Sequence, residues 1–335
     1  MTTETRLIAL VSKVCDMNRD SVQKALDYAA DVRNILRRKI DNRAKTRLVF
    51  EHVMVQFSYQ GIADAIADKY REEHGNITYF DIARALALQW GQLCPKLTGF
   101  DSMKNCGYQK GKLTCNNRPM LMACPVRRHD LRMGSLHIKA YSFFFYMRDV
   151  CQGDLIRHFD RIIGRHYSSE EPSWVFKAKD ALVEDFTRIY GVGDKLSNMT
   201  LSYLLSADPE RTSWVMIGQA MVAIDSLVHK FFHRTGILKF YGAEHNYGPG
   251  CPIDCFSCVD ILSRKIDARQ FNQGYPKYFP RFVQLSVWIF CTLSAHNICN
   301  GVNIDDSKCC ERDDICPLYD LCDHIALKDP GKDNE

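Results

Sequence analysis

The chain reads as an all-α protein, and three observations carry that prediction. Apolar residues recur at helical spacing along most of its 335 residues. Sustained two-residue alternation bounded by hairpin dipeptides is missing. The composition, 46% hydrophobic and 25% charged, is that of an ordinary globular chain rather than a disordered or collagen-like one. In order, Ile62, Ile66 and Tyr70 mark a first apolar stripe, and Leu155, Ile156, Phe159, Ile162 and Ile163 a second. Leu182, Val183, Phe186, Ile189 and Tyr190 form a third, and Leu227, Val228, Phe231 and Phe232 a fourth. Each fits one face of a helix. Two stretches break the pattern and read as long loops or insertions: 92–130, with Cys94, Cys106, Cys115 and Cys124 among Gly, Asn, Pro and Lys, and 241–256, rich in Gly and Pro. No period of roughly 20 to 50 residues repeats.

The longest apolar stretches, 141–147 and 287–293, fall well short of the roughly 18 residues that a membrane helix needs, so a soluble protein is expected. Net charge is +4, which permits an anionic partner without demanding one. Arg37, Arg38, Lys39, Arg43, Lys45 and Arg47 form one basic stretch, and Arg127, Arg128, Arg132 and Lys139 a second; such runs also occur as plain solvated helix faces. The 15 cysteines are the unusual feature. An odd number rules out complete disulfide pairing, and the first residues, with Lys13 and Asp16 interrupting a short apolar stretch, do not form a secretory signal. An intracellular, reducing location is therefore expected, where clustered cysteines more often hold metal than each other.

Between the third and fourth stripes lies Ile189-Tyr190-Gly191-Val192-Gly193-Asp194-Lys195-Leu196. Glycine at both turn positions permits unusual backbone angles and lets amide N–H groups approach a phosphate, while the following helix turns its N-terminal dipole to the same anion. Thirty residues after Lys195 comes Ile224-Asp225-Ser226-Leu227-Val228-His229, followed by Arg234-Thr235-Gly236. Asp225 there also suits an ordinary helix N-cap, and Lys195 a phosphate-contacting or solvated lysine. Taken together, Gly-Val-Gly-x-Lys, apolar-Asp and Arg-Thr-Gly resemble the helix-hairpin-helix DNA glycosylases, in particular their endonuclease III-like branch.

The resemblance spans about residues 50–322 and implies a six-helix barrel domain at 50–218, with the hairpin and the 92–130 insertion. It further implies a second helical domain from 1–49 and 219–335. It implies Lys195 as nucleophile and Asp225 as its catalytic partner, with Gly191, Val192 and Gly193 contacting DNA. Gln60, in Phe57-Ser58-Tyr59-Gln60, would fill the gap left by a flipped nucleotide, although Ser-x-Gln is also common capping chemistry. Lysine at position 195 favours a bifunctional glycosylase with AP lyase activity, acting as a monomer on double-stranded DNA with a damaged or modified base. A non-catalytic DNA-binding protein with a metal-stabilised fold is the alternative.

Cys299, Cys309, Cys310, Cys316 and Cys322 close the chain. The last two, with five residues between them, resemble the end of that branch's iron–sulfur loop, C-x6-C-x2-C-x5-C. The resemblance implies a [4Fe–4S] cluster on Cys299, Cys310, Cys316 and Cys322, with Cys309 as alternative to Cys310; zinc in the same thiolates is the other reading. The front half departs from the pattern, since nine residues separate Cys299 from Cys309. The loop also carries Asp305, Asp306, Glu311, Asp313 and Asp314 against Lys308 and Arg312, so it is expected to repel phosphate unless these acids face away. Where the family often has histidine two places after the aspartate, this chain has Leu227, with His229 one turn on as substitute or as an ordinary half-buried histidine.

Two further cysteine groups stay open. Cys251, Cys255 and Cys258 have the C-x3-C-x2-C spacing of radical S-adenosylmethionine enzymes, but no β/α-barrel strand pattern surrounds them. They could support a second metal with a ligand from elsewhere, for example from Cys94, Cys106, Cys115 and Cys124, whose own spacing suits unligated thiols. Cys15, Cys151 and Cys291 read as core thiols.

Overall fold

A computed structural model describes residues 1–27, 29–60, 62, 64–88, 94–116, 131, 133–300, 304–311 and 314–327. Cys124, Arg127, Arg128, Arg132, Arg312 and Asp313 lie outside the described residues. The described residues are predominantly helical, as the periodicity predicts; the only strands among them are two short ones inside the 92–130 insertion.

The helices in chain order are α1 (Thr3–Asp27), α2 (Ala30–Arg37), α3 (Asn42–Ser58), α4 (Asp64–His74), α5 (Tyr79–Leu88) and the short α6 (Phe100–Met103). A two-stranded hairpin follows, β1 (Tyr108–Gln109) pairing antiparallel with β2 (Thr114–Cys115). Then come α7 (Ser135–Phe145), α8 (Leu155–His166), α9 (Trp174–Thr187), α10 (Asp194–Leu205), α11 (Thr212–Ala220) and α12 (Ser226–Arg234). The chain closes with α13 (Ile237–Phe240), α14 (Asp254–Lys265) and α15 (Pro280–Cys291). Local chemistry sets many boundaries. Asp41, Asp154 and Asp225 cap α3, α8 and α12 by accepting from backbone N–H groups, Thr78 and Asp81 cap each other at the start of α5, and Pro280 opens α15.

By contacts the chain divides into two compact units, residues 29–217 and residues 1–28 with 218–335. The larger unit thus includes residues 29–49, which the sequence had grouped with the N-terminal helix. The reason is packing: Val32, Ile35 and Leu36 of α2 are buried, Val32 and Leu36 share an apolar pocket with Val49, Phe159 and Trp214, and Arg33 and Arg37 bond to Ala207 and Asp208. Stacked and edge-on aromatic pairs fill its centre, among them Phe50 on Phe143 at 5.3 Å and Phe57 against Phe186 at 6.1 Å. All five apolar residues of the α8 stripe are buried. The Ile62 stripe fares differently: Ile66 is 58% exposed, and α4 buries Ala67 instead.

The smaller unit has its own core. Leu7, Leu10, Val11 and Val14 of α1 pack with Phe231 and Phe232 of α12, Leu262 of α14 and Phe282 and Phe290 of α15. Cys15 and Cys291 are buried there, and Cys151 is buried in the larger unit. No helix among the described residues is long and apolar enough to cross a membrane.

Candidate functional site

In the larger unit, α9 ends at Thr187 and α10 starts at Asp194, with the glycine turn between them. Gly191 has φ +78°, a left-handed conformation that glycine adopts without strain, while Gly193 is extended at φ −103°. Val192 is buried and its N–H bonds the Ile189 carbonyl, so its side chain anchors the turn and leaves both glycines exposed. The Tyr190 N–H donates to Ser142 Oγ on α7 at 2.8 Å, tying the turn to the core. Lys195 is exposed in the first turn of α10. Gln60, two residues past the end of α3, lines a cleft of about 510 Å³ with Tyr190 and Gly191. Tyr108 to Gly111 of the insertion hairpin and Lys139 of α7 line the same cleft, so this part of the insertion borders the predicted turn. Lys139 is 2% exposed, with Nζ bonded to Ser135 Oγ.

In the smaller unit Asp225 is 8% exposed and its Oδ1 accepts from the N–H groups of Leu227 and Val228, both at 3.0 Å. It is therefore the N-cap of α12 whatever else it does. Arg281 of α15 lies near enough for the carboxylate to offset part of the burial that pushes this guanidinium down to about 10.

Cys299, Cys310 and Cys316 lie within electrostatic reach of Cys322, although they do not form a ligand group as tight as the one described below. Burial is the largest cause that raises Cys316 and Cys322 above the ordinary thiol range, Cys322 to about 12, and neighbouring thiols add to it. Cys299 and Cys310 act on Cys316, and all three act on Cys322. Cys310 is buried, whereas Cys309 is exposed. Cys299 is instead held low, first by a hydrogen bond with Cys291 and then by the Arg234 guanidinium. Arg234, 1% exposed, pairs with Asp306, which Lys230 also contacts. Asp306 thus faces inward, while Asp305, Glu311 and Asp314 stay exposed.

A second group was only half legible. His229 of α12, His245 of the Gly/Pro-rich loop, Cys251, and Cys255 in the first turn of α14 present ligand atoms all within 4.8 Å of one another. These four residues can hold a metal ion. Cys251 and Cys255 were singled out from the sequence, but their companions are two histidines, not a cysteine from the insertion set. Cys258 lies outside the group although it too is buried. His229 is not an ordinary half-buried histidine: it is 5% exposed, and burial pushes it down to about 4. His245 was missed. The available signal was His245-x5-Cys251-x3-Cys255, two kinds of soft donor crowded into one loop.

Comparison with family models, with curated proteins and with solved structures gave no match. The chemistry of the sites therefore rests on their own geometry.

Proposed function

We propose that the protein is a DNA base-excision glycosylase with AP lyase activity. The observation that carries this reading is the turn at residues 191–193. A left-handed Gly191, a buried Val192 and an extended Gly193 leave both glycines exposed at the head of α10, with Lys195 one residue inside that helix. Such a helix start favours a phosphate, and glycine leaves no Cβ in its way. Gln60 on the cleft beside Gly191 supports a role in filling the space of an extruded nucleotide.

In this reading Lys195 Nζ attacks the anomeric carbon of the flipped nucleotide and the base departs with the glycosidic bonding pair. The sugar ring opens as the C=N bond of the Schiff base forms. Loss of a C2′ proton then expels the 3′ phosphate. The lysine must be neutral to attack, so its surroundings must favour the free amine.

The thiols of Cys299, Cys310, Cys316 and Cys322 suit an iron–sulfur cluster: all are soft donors from one segment, Cys299 and Cys310 act on Cys316, these three act on Cys322, and the buried Arg234 guanidinium lies beside Cys299. A [4Fe–4S] cluster there would supply a covalent tie across residues 299–322. The inward pairing of Asp306 removes one acid from the surface that would meet DNA.

The test is borohydride trapping on abasic-site DNA. A covalent adduct is expected for the wild type and none for Lys195→Ala. An adduct that survives in Lys195→Ala moves the nucleophile elsewhere. Salt-dependent DNA binding without any adduct would instead identify a non-catalytic DNA-binding protein.

A further inference from the structure

We propose that His229, His245, Cys251 and Cys255 form a closed, structural zinc site, separate from the thiols at the C-terminus and independent of the glycosylase reading. A tetrahedral zinc ion with Zn–S of about 2.3 Å and Zn–N of about 2.0–2.1 Å holds sulfur and nitrogen on adjacent corners about 3.5 Å apart. All four sulfur–nitrogen separations match this. His229 Nδ1 lies 3.4 Å from Cys255 Sγ and 3.6 Å from Cys251 Sγ, and His245 Nε2 lies 3.4 Å from each sulfur.

Hydrogen bonding alone does not account for that square of contacts. His245 Nδ1 lies 2.7 Å from the Ala243 carbonyl, which can only accept, so in the neutral ring the proton sits on Nδ1 and Nε2 offers a lone pair. Two thiol protons, with one more on His229 Nδ1 at best, serve three of the four contacts. The fourth would set lone pair against lone pair. A cation in the centre satisfies all four and converts both thiols to thiolates.

The surroundings are those of a metal site. The Ala243 carbonyl fixes the tautomer and orientation of His245, with Asp254 Oδ2 3.6 Å from the same nitrogen. The Gly248 N–H points at Cys251 Sγ from 3.4 Å and would stabilise a thiolate. Gly250 lets the backbone pass against the ring, since a Cβ there would stand 2.8 Å from His245 Cδ2. The Gly248-Pro249-Gly250 run thus shapes the loop around the ligands. Four protein donors leave no open position, which marks a structural rather than a catalytic zinc. Two nitrogens and two sulfurs this close leave room for one ion and suit zinc among soft-donor metals. The ion would clamp the loop after α13 and the head of α14 onto α12, the helix that Asp225 caps.

The experiment measures metal content and zinc K-edge X-ray absorption on the full chain from zinc-supplemented cells, beside His245→Ala, Cys255→Ser and Cys316→Ser. One zinc per wild-type chain is expected, with two nitrogen and two sulfur ligands. Cys316→Ser should keep it, and the other two variants should fall at least tenfold in zinc. A wild-type chain without zinc, a zinc held by four sulfurs, or a folded His245→Ala that retains its zinc would overturn the proposal. Should the ligand variants fail to fold, the wild-type content and ligand shell decide by themselves.

Discussion

Arg234 and Asp306 form an ion pair in which the guanidinium is 1% exposed while the carboxylate still reaches solvent. The pair joins the end of α12 to the acidic segment before Cys310. Asp306 is held below the usual carboxylate range: burial works to raise it, but Lys230 and Arg234 outweigh burial. Asp306→Ala would strand a buried cation, at a cost of about 3–5 kcal/mol. Denaturant midpoints of Asp306→Ala, Arg234→Met and the double variant should show the double costing much less than the sum of the singles. Additive losses would mean that the two do not act as a pair.

The same carboxylate sets a pH dependence. Its folded pKa lies below the unfolded value of about 3.9, so the unfolded chain binds more protons in the interval between them. The stability that the pair contributes is complete above that unfolded value and is lost as pH falls through the folded one. Acid unfolding curves of wild type and Asp306→Asn should therefore begin to approach one another as pH falls below about 3.9 and merge only below the lower folded pKa. A gap that stays constant into stronger acid would assign the effect to packing.

Much of the fold was legible because helix periodicity is a local signal. The α8 stripe is buried throughout, and Asp225, which suited an N-cap in the sequence, caps the helix that carries the Leu227 stripe. Ile66 misled because its spacing is helical while its face has little to pack against. The metal group was hidden for a different reason. His229 and His245 are sixteen positions apart, and only the path of the loop brings both imidazoles to Cys251 and Cys255. Adjacent Cys309 and Cys310 were equally ambiguous, since sequence spacing does not tell which of two neighbours turns inward.

That ambiguity yields a test. Cys310 is buried and acts on Cys316 and Cys322, while Cys309 is exposed. If the four thiols hold an iron–sulfur cluster, Cys310→Ser should lose its visible absorbance and most of its iron, and Cys309→Ser should keep both. The reverse pattern would exchange the two ligands.

Gly236, which ends the Arg-Thr-Gly segment, has φ +79°, and a Cβ there would come within 1.9 Å of Asp323 Oδ2. Asp323 is not free to swing away, because Arg6 holds it at 2.6 Å. Gly236→Ala should therefore cost about 1–3 kcal/mol from backbone strain and displacement of this pair. Thermal unfolding of Gly236→Ala in an Asp323→Ala background separates the two, since only the backbone part survives there. No rescue by Asp323→Ala would assign the whole cost to the left-handed conformation.

Gly191 and Gly193 divide folding from recognition. Gly191 is left-handed, and a Cβ would make only ordinary contact with Lys139 at 3.6 Å, so Gly191→Ala should cost about 1 kcal/mol from the backbone alone. Gly193 has φ −103° and open space around a Cβ. Gly193→Ala should leave stability unchanged or raise it by about 0.4–1 kcal/mol, because the unfolded chain loses freedom. In the proposed function that methyl group stands where a phosphate approaches the amides, so Gly193→Ala should bind DNA at least several-fold more weakly while melting no lower than wild type. Unchanged affinity in a stable Gly193→Ala protein would reduce the turn to a connection between α9 and α10 and remove the observation on which the glycosylase reading stands.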